Sequence, residues 1–224
     1  MIDFGDVNTG TFTGPVSLAS LPRRIGQSSI EAFPLAIGGA VFGWSLPSGR
    51  SADILDRFVD LGGAMVDTAD SYSSGMSEQI IGKWMRDRGN RDQIVVSTKV
   101  GRHPDFPGLS PRNIRDAVDA SLERLQTDRI DVLYFHAPDA DVALEESLAA
   151  AEELMRAGKV RVLGASNFTA DQLLQARVLA GTGLPRFEAV ALEYSLMRRD
   201  LVEGNIAMMA RAQSMSVMPY FVLA

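Results

Sequence analysis

Asp67, Tyr72, Lys99 and His136 are the residues whose types and spacing offer chemistry in this sequence. Asp67, Lys99 and His136 lie at or just beyond the ends of short apolar runs, Ala64 to Asp67, Ile94 to Thr98 and Val132 to Phe135, and Tyr72 follows Asp67 by five residues. Neighbouring strands would deliver a carboxylate, a phenol, an ammonium and an imidazole to one rim. A buried lysine needs a partner for its charge, and Asp67 is the carboxylate positioned to supply it. An ammonium beside a phenol stabilises the phenolate that proton donation leaves behind, which makes Tyr72 a usable general acid. Each residue alone has a plainer reading: an aspartate at a strand end commonly caps a turn, and His136, after Tyr134 and Phe135, reads equally well as a satisfied core or rim histidine. The scarcity of lysine weighs the other way. Only Lys83, Lys99 and Lys159 occur, and one of them ends a buried run.

The second histidine, His103, lies in the segment Gly101 to Pro104 and is expected to be an exposed loop residue. With two histidines far apart, no cysteine, and neither H-x-H nor H-E-x-x-H spacing, no metal site is expected.

The elements that must position these groups are legible from periodicity. Strands are expected at Leu35 to Gly38, Ala64 to Asp67, Ile94 to Thr98, Val132 to Phe135, Val160 to Gly164, Ala189 to Leu192 and Val217 to Pro219. They are short and lack strict alternation, as strands buried on both faces do. Six amphipathic segments separate them. Ser110 and Pro111 read as an N-cap and a first-turn proline, and Ile114, Val118, Leu122 and Leu125 then form one stripe facing a sheet. Thr169 with Gln172 fits a capping box, and Gly62, Gly89 and Gly158 stand where helices stop in a left-handed turn. Strict alternation of strand and helix means a parallel sheet, either an open doubly wound one or a barrel. The segment after the first strand, GGAVFG over residues 38–43, does not fit the G-x-G-x-x-G turn of the open dinucleotide-binding sheet. The expected fold is therefore a (β/α)8 TIM-type parallel barrel, incomplete at about seven strands, without the eighth βα unit and the C-terminal helices.

Composition bounds the rest. The 224 residues are 46% hydrophobic and 22% charged, ample for one core. A domain over 21–224 is expected, preceded by a Gly-, Thr- and Ser-rich extension over 1–20 whose role is not readable. A formal net charge of -6 argues against nucleic acid and against anionic membrane surfaces as partners. No run approaches the roughly 18 apolar residues of a membrane span, and the N-terminus lacks a secretory pattern. A soluble, cytoplasmic protein is the expectation.

The motifs then converge on a family. LAIGGAVFGW over 35–44, VDTADSY over 66–72, Ser77 with Glu78, TKVG over 98–101, SLERL over 121–125, His136 with Pro138 and Asp139, GKVR over 158–161, GASNF over 164–168 and Tyr194 to Leu196 occur in the order found in aldo-keto reductases. The chain resembles these (β/α)8 oxidoreductases from near Arg24 to Ala224. The resemblance implies a carbonyl reductase using NADPH on a small-molecule aldehyde or ketone. Tyr72 is then the general acid, Lys99 its neighbour, Asp67 the ionic partner of Lys99, and His136 the group that orients the carbonyl or shares in proton delivery. It further implies that Ser166 and Asn167 hold the nicotinamide carboxamide and that Tyr220 stacks on the ring. Gly38 and Gly39 lie where backbone approaches the cofactor, Phe221 and Leu223 begin the loop around the pyrophosphate, and Trp44 contributes to the substrate wall. Read without the resemblance, Ser166 and Asn167 are turn residues leading into the Thr169-capped helix.

Two departures from the family pattern stand out. Ala191 occupies a position where the family usually has a glutamine. After Ala224 the family continues with a glycine-rich loop and an eighth strand, and that region carries the contacts that choose NADP over NAD. A seven-stranded barrel exposes two edges, which implies self-association through them. Two rival readings remain open: a nicotinamide-binding regulatory subunit or inactive remnant, and a Schiff-base aldolase acting through Lys99.

Overall fold

Seven strands form a single parallel sheet: β1 (Ile37–Gly38), β2 (Met65–Asp67), β3 (Val95–Val100), β4 (Ile130–Phe135), β5 (Val160–Ser166), β6 (Ala189–Glu193) and β7 (Ser216–Tyr220). In space they follow chain order without interruption, β1 at one edge and β7 at the other. The computed structural model describes residues 23–223; the extension expected over 1–20 lies outside them. Between consecutive strands run α1 (Ser48–Asp60), α2 (Met76–Arg88), α3 (Pro111–Leu125), α4 (Leu144–Arg156), α5 (Ala170–Ala180) and α6 (Asn205–Gln213). This is a curled, incomplete (β/α)8 architecture, as the alternation of patterns implies.

Local chemistry accounts for the helix ends. Ser110 caps α3 by accepting the Asn113 amide, with Pro111 in the first turn. Ile114, Val118, Leu122 and Leu125 are all buried, each such side chain stabilising the fold by about 1.5–3 kcal/mol. Thr169 and Gln172 form a reciprocal capping box at the start of α5. Gly62, Gly89 and Gly158 all have positive φ, the left-handed conformation that ends a helix without a Cβ clash.

The apolar interior divides in two. The larger cluster fills the space between sheet and helices; the smaller lies inside the curl and includes Met65, Val132, Tyr134, Val162 and Ala189. A short antiparallel hairpin, Arg23–Arg24 with Glu31–Ala32, brings Ile25 and Ile30 into that inner cluster. Gly164 on β5 is required there, because a Cβ would stand 2.4 Å from the Tyr134 ring.

One expectation fails in this region. The segment after β3 is a second hairpin, Arg102–His103 with Phe106–Pro107, and His103 is 5% exposed. Its ring packs on Phe106 with centroids 5.6 Å apart, and its Nδ1 accepts the Asp105 amide at 3.2 Å. Hairpin pairing turned inward a residue that its Gly/Pro-rich neighbours suggested was exposed.

Candidate active site

The C-terminal ends of the strands surround a cavity of about 560 Å³. Asp67 is the last residue of β2, Lys99 the penultimate residue of β3, and His136 follows β4 directly. Lys99 Nζ donates to Asp67 Oδ2 at 2.5 Å and to the Thr68 carbonyl at 2.7 Å. Asp67 Oδ1 also accepts from the Ser97 hydroxyl at 2.7 Å. The ammonium stands 5.0 Å from the centroid of the Tyr72 ring. Burial alone would push the Lys99 pKa down; the negative charge of Asp67 and the proximity of Tyr72 outweigh it and hold the value above the usual lysine range. Lys99 is therefore a charged ammonium.

Tyr72 arrives on a loop that crosses from β2 to α2 through a strained turn. Ser73 and Ser74 both adopt φ 51°, and Gly75 follows at φ 86°, a left-handed run that costs non-glycine residues on the order of 1 kcal/mol each. The Ser73 hydroxyl anchors the turn on the Phe42 carbonyl at 3.1 Å. Behind it, Glu78 is buried without exposure and accepts from Thr98 Oγ1 at 2.6 Å and Arg124 Nε at 2.7 Å. The Tyr72 ring meets His136 edge to face, with centroids 6.0 Å apart.

His136 is 8% exposed and its Nδ1 is buried without a hydrogen-bond partner among the described residues. Burial, reinforced by the positive charges of Lys99 and Arg102, drives its pKa down to about 3. The imidazole is neutral at physiological pH.

On the opposite wall, Asn167 adopts φ 61° and ties three elements together. Its Nδ2 donates to the His136 carbonyl at 2.9 Å and to Ser166 Oγ at 3.1 Å, while its Oδ1 accepts from the Tyr220 hydroxyl at 2.6 Å. These bonds fix the attitude of the Tyr220 ring beside the cavity. Gly38 is open to space, since a Cβ there would meet nothing within 4 Å among the described residues. An aromatic face, a neighbouring serine hydroxyl and accessible backbone fit the planar amide-bearing ring of a nicotinamide. Ala191 also lines the cavity and contributes a methyl group with no hydrogen-bonding capacity.

Several sequence-derived candidates are not brought in. Trp44 is 80% exposed and stands outside the cavity lining, as does Leu223 at 95%. Gly39 faces away from the cavity: its amide donates to the Asp67 carbonyl at 2.7 Å, and a Cβ would strike Ser77 Oγ at 2.6 Å. Phe221 lines the rim with φ 52° and meets Tyr220 edge to face. Two polar lining residues escaped sequence reasoning, Arg102 and Tyr134, along with the apolar Ala36, Ala40, Met218, Pro219 and Val222. Nothing in its local pattern distinguishes Arg102 from the chain's other arginines. Tyr134 is the penultimate residue of β4 in an apolar run, and its buried hydroxyl has no hydrogen-bond partner among the described residues.

The sequence pattern of the aldo/keto reductase family matches residues 34–224. The chain belongs to this family. An aryl-alcohol dehydrogenase of Pestalotiopsis microspora is 35% identical over 94% of this chain and 59% of its own length. Norsolorinic acid reductase B of Aspergillus parasiticus is 35% identical over 88% of this chain and 56% of its own. An aldo-keto reductase of Bacillus subtilis is 32% identical over 80% of this chain and 55% of its own. The chain thus spans less than two thirds of the length of these family members. Among the described residues no group of acidic or histidine side chains is arranged to hold a metal ion, and no helix is long and apolar enough to cross a membrane.

Proposed function

We propose that this protein reduces a small-molecule aldehyde or ketone to the alcohol with NADPH, Tyr72 acting as general acid. The observation that carries this reading is the Lys99 ammonium, pinned between Asp67 and the Thr68 carbonyl, 5.0 Å from the Tyr72 ring at the cavity mouth. Reductases and dehydrogenases among the relatives support it. The reduced nicotinamide, when bound, supplies the hydride. Ser166, Asn167, Tyr220 and the backbone at Gly38 are the residues that would hold it.

The remaining work falls to this chain's own side chains. Tyr72 gives its phenolic proton to the carbonyl oxygen. Lys99 steadies the phenolate left behind, and Asp67 with Thr68 keeps the ammonium from turning away. Of the two roles open to His136, its low pKa favours orienting the carbonyl as a neutral hydrogen-bonding group over delivering a proton as an imidazolium. The alanine at 191 forgoes one hydrogen bond to the cofactor, about 0.5–1.5 kcal/mol, which loosens binding without abolishing it.

A Schiff-base role for Lys99 is disfavoured because that chemistry begins from a neutral amine, and Asp67 holds this one protonated. The missing amide at 191 leaves the carboxamide that aims the ring less firmly held, which is the observation behind a binding-only subunit, and cofactor titration separates the two: saturable NADPH binding with no turnover would support the subunit. The decisive experiment follows NADPH consumption with an aromatic aldehyde by the protein and by Tyr72→Phe, with NADH in parallel. The phenylalanine variant is expected to lose roughly 10²- to 10⁴-fold in kcat at an unchanged melting temperature. Equal turnover by both would remove Tyr72 from the acid role.

A further inference from the structure

Among the described residues, Arg102 is the one charged group on the cavity wall that the proposed chemistry leaves unused. The wall otherwise carries Asp67 and Lys99, which cancel, and a neutral His136. Arg102 forms no ion pair among the described residues, yet both His136 and Tyr220 feel its positive charge. In a chain of formal charge -6, the described cavity wall therefore carries one exposed positive charge with no ion pair. Glu193, whose negative charge reaches Tyr220, lies outside the lining and faces Arg198 at 3.9 Å.

The guanidinium is also mounted rigidly at its base. Gly101, at φ 106°, turns the chain off β3, and a Cβ there would meet Leu109 at 2.8 Å. The Gly108 amide closes the hairpin on the Gly101 carbonyl at 3.0 Å. The next residue, His103, is buried against Phe106. Arg102 thus stands on an anchored two-stranded support with its side chain free to meet a ligand. A planar guanidinium with parallel N–H groups matches a carboxylate in bidentate fashion, and most of the surrounding wall, including Ala36, Ala40, Met218 and Val222, offers no competing charge.

We propose that Arg102 selects carbonyl substrates bearing a carboxylate, binding the carboxylate at the β3 hairpin while the carbonyl lies against Tyr72 and His136. This rests on the carbonyl-reductase reading above and adds the substrate class. A matched pair tests it: 4-carboxybenzaldehyde and its methyl ester, which differ chiefly in charge. The protein is expected to favour the acid in kcat/KM. In Arg102→Ala the ratio of acid to ester falls about 10- to 100-fold, as loss of a charge-assisted hydrogen bond implies, and Arg102→Lys restores part of it. An unchanged ratio overturns the proposal. So does a variant whose main defect is a raised KM for NADPH, which would assign Arg102 to a cofactor phosphate. Should neither aldehyde be turned over, the reductase reading falls, and calorimetric titration with 4-carboxybenzyl alcohol judges the carboxylate site by itself: binding lost in Arg102→Ala supports it, no binding by the unaltered protein refutes it.

Discussion

The two ends of the barrel treat buried charge in opposite ways. At the N-terminal base, Asp131 is 1% exposed and fully engaged: it accepts from Arg91 at 2.8 Å, from Arg161 at 2.7 Å and from the Val96 amide at 2.9 Å. Arg91 in turn also donates to Thr127, the Ile94 carbonyl and the Arg129 carbonyl, each at 2.8 Å. At the C-terminal mouth, by contrast, His136 Nδ1 and the Tyr134 hydroxyl are buried without hydrogen-bond partners among the described residues, and the Asp70 carboxyl is fully buried with no ion pair among them. Backbone strain follows the same division. Ser73, Ser74, Asn167 and Phe221 hold positive φ at the mouth, whereas Gln126 and Ser214 do so only as helix C-caps. The Asp131 network at the base is satisfied internally and holds the fold together, while Asn90 Oδ1 and Arg186 Nε at the same end make no hydrogen bond among the described residues; at the mouth, His136 and Tyr134 line the cavity with capacity for a ligand, at a local cost in stability.

Breaking the base should produce the largest effect on stability. Asp131→Ala strands Arg91, whose side chain is 16% exposed, and is expected to cost about 3–5 kcal/mol, toward the lower figure because Arg161 is 42% exposed. Denaturant titration measures the loss, and turnover per folded molecule should persist. A variant that kept its stability but lost turnover would erase the distinction between the two ends.

Asp70 sharpens the contrast from the other side. Burial, then the negative charge of Glu78, raises its pKa from 3.8 to about 7, against the smaller opposing pull of Arg124 and the Ser71 and Gly101 amides. A carboxyl with a raised folded-state pKa binds its proton more tightly folded than unfolded, so its contribution is complete below about pH 4 and disappears as pH climbs through 7. Asp70→Asn should therefore be increasingly more stable than the parent from pH 4 to 7, reaching a few kcal/mol, then level off. Parallel stability curves would show that Asp70 ionises as freely as an exposed carboxylate.

Thr169 supplies the smallest and most discriminating case, a polar residue at the mouth end whose bonds are satisfied. Its hydroxyl accepts the Gln172 amide and its own amide donates to Gln172 Oε1 at 2.9 Å. Thr169→Ala should lower stability by about 1 kcal/mol with no change in kcat. A large catalytic loss would mean that position at the mouth, rather than unsatisfied bonding, marks the functional groups.

Much of this molecule is local and was readable as such. The caps at Ser110 and Thr169, the helix stops at Gly62, Gly89 and Gly158, and the apolar stripe of α3 follow from interactions spanning a few residues, so sequence alone determined the order of strands and helices. Parallel alternation in turn put Asp67, Lys99 and His136 at consecutive strand ends. The tertiary structure decided what those positions mean. Only the pairing of β2, β3 and β4 brings the Lys99 ammonium to Asp67 across 32 residues of chain; only the hairpin after β3 buries His103 and turns Arg102 over the cavity; and only the course of the chain after β1 carries Trp44 out to solvent. Burial and charge proximity depend on residues distant in sequence, and composition and period contain no record of those distances.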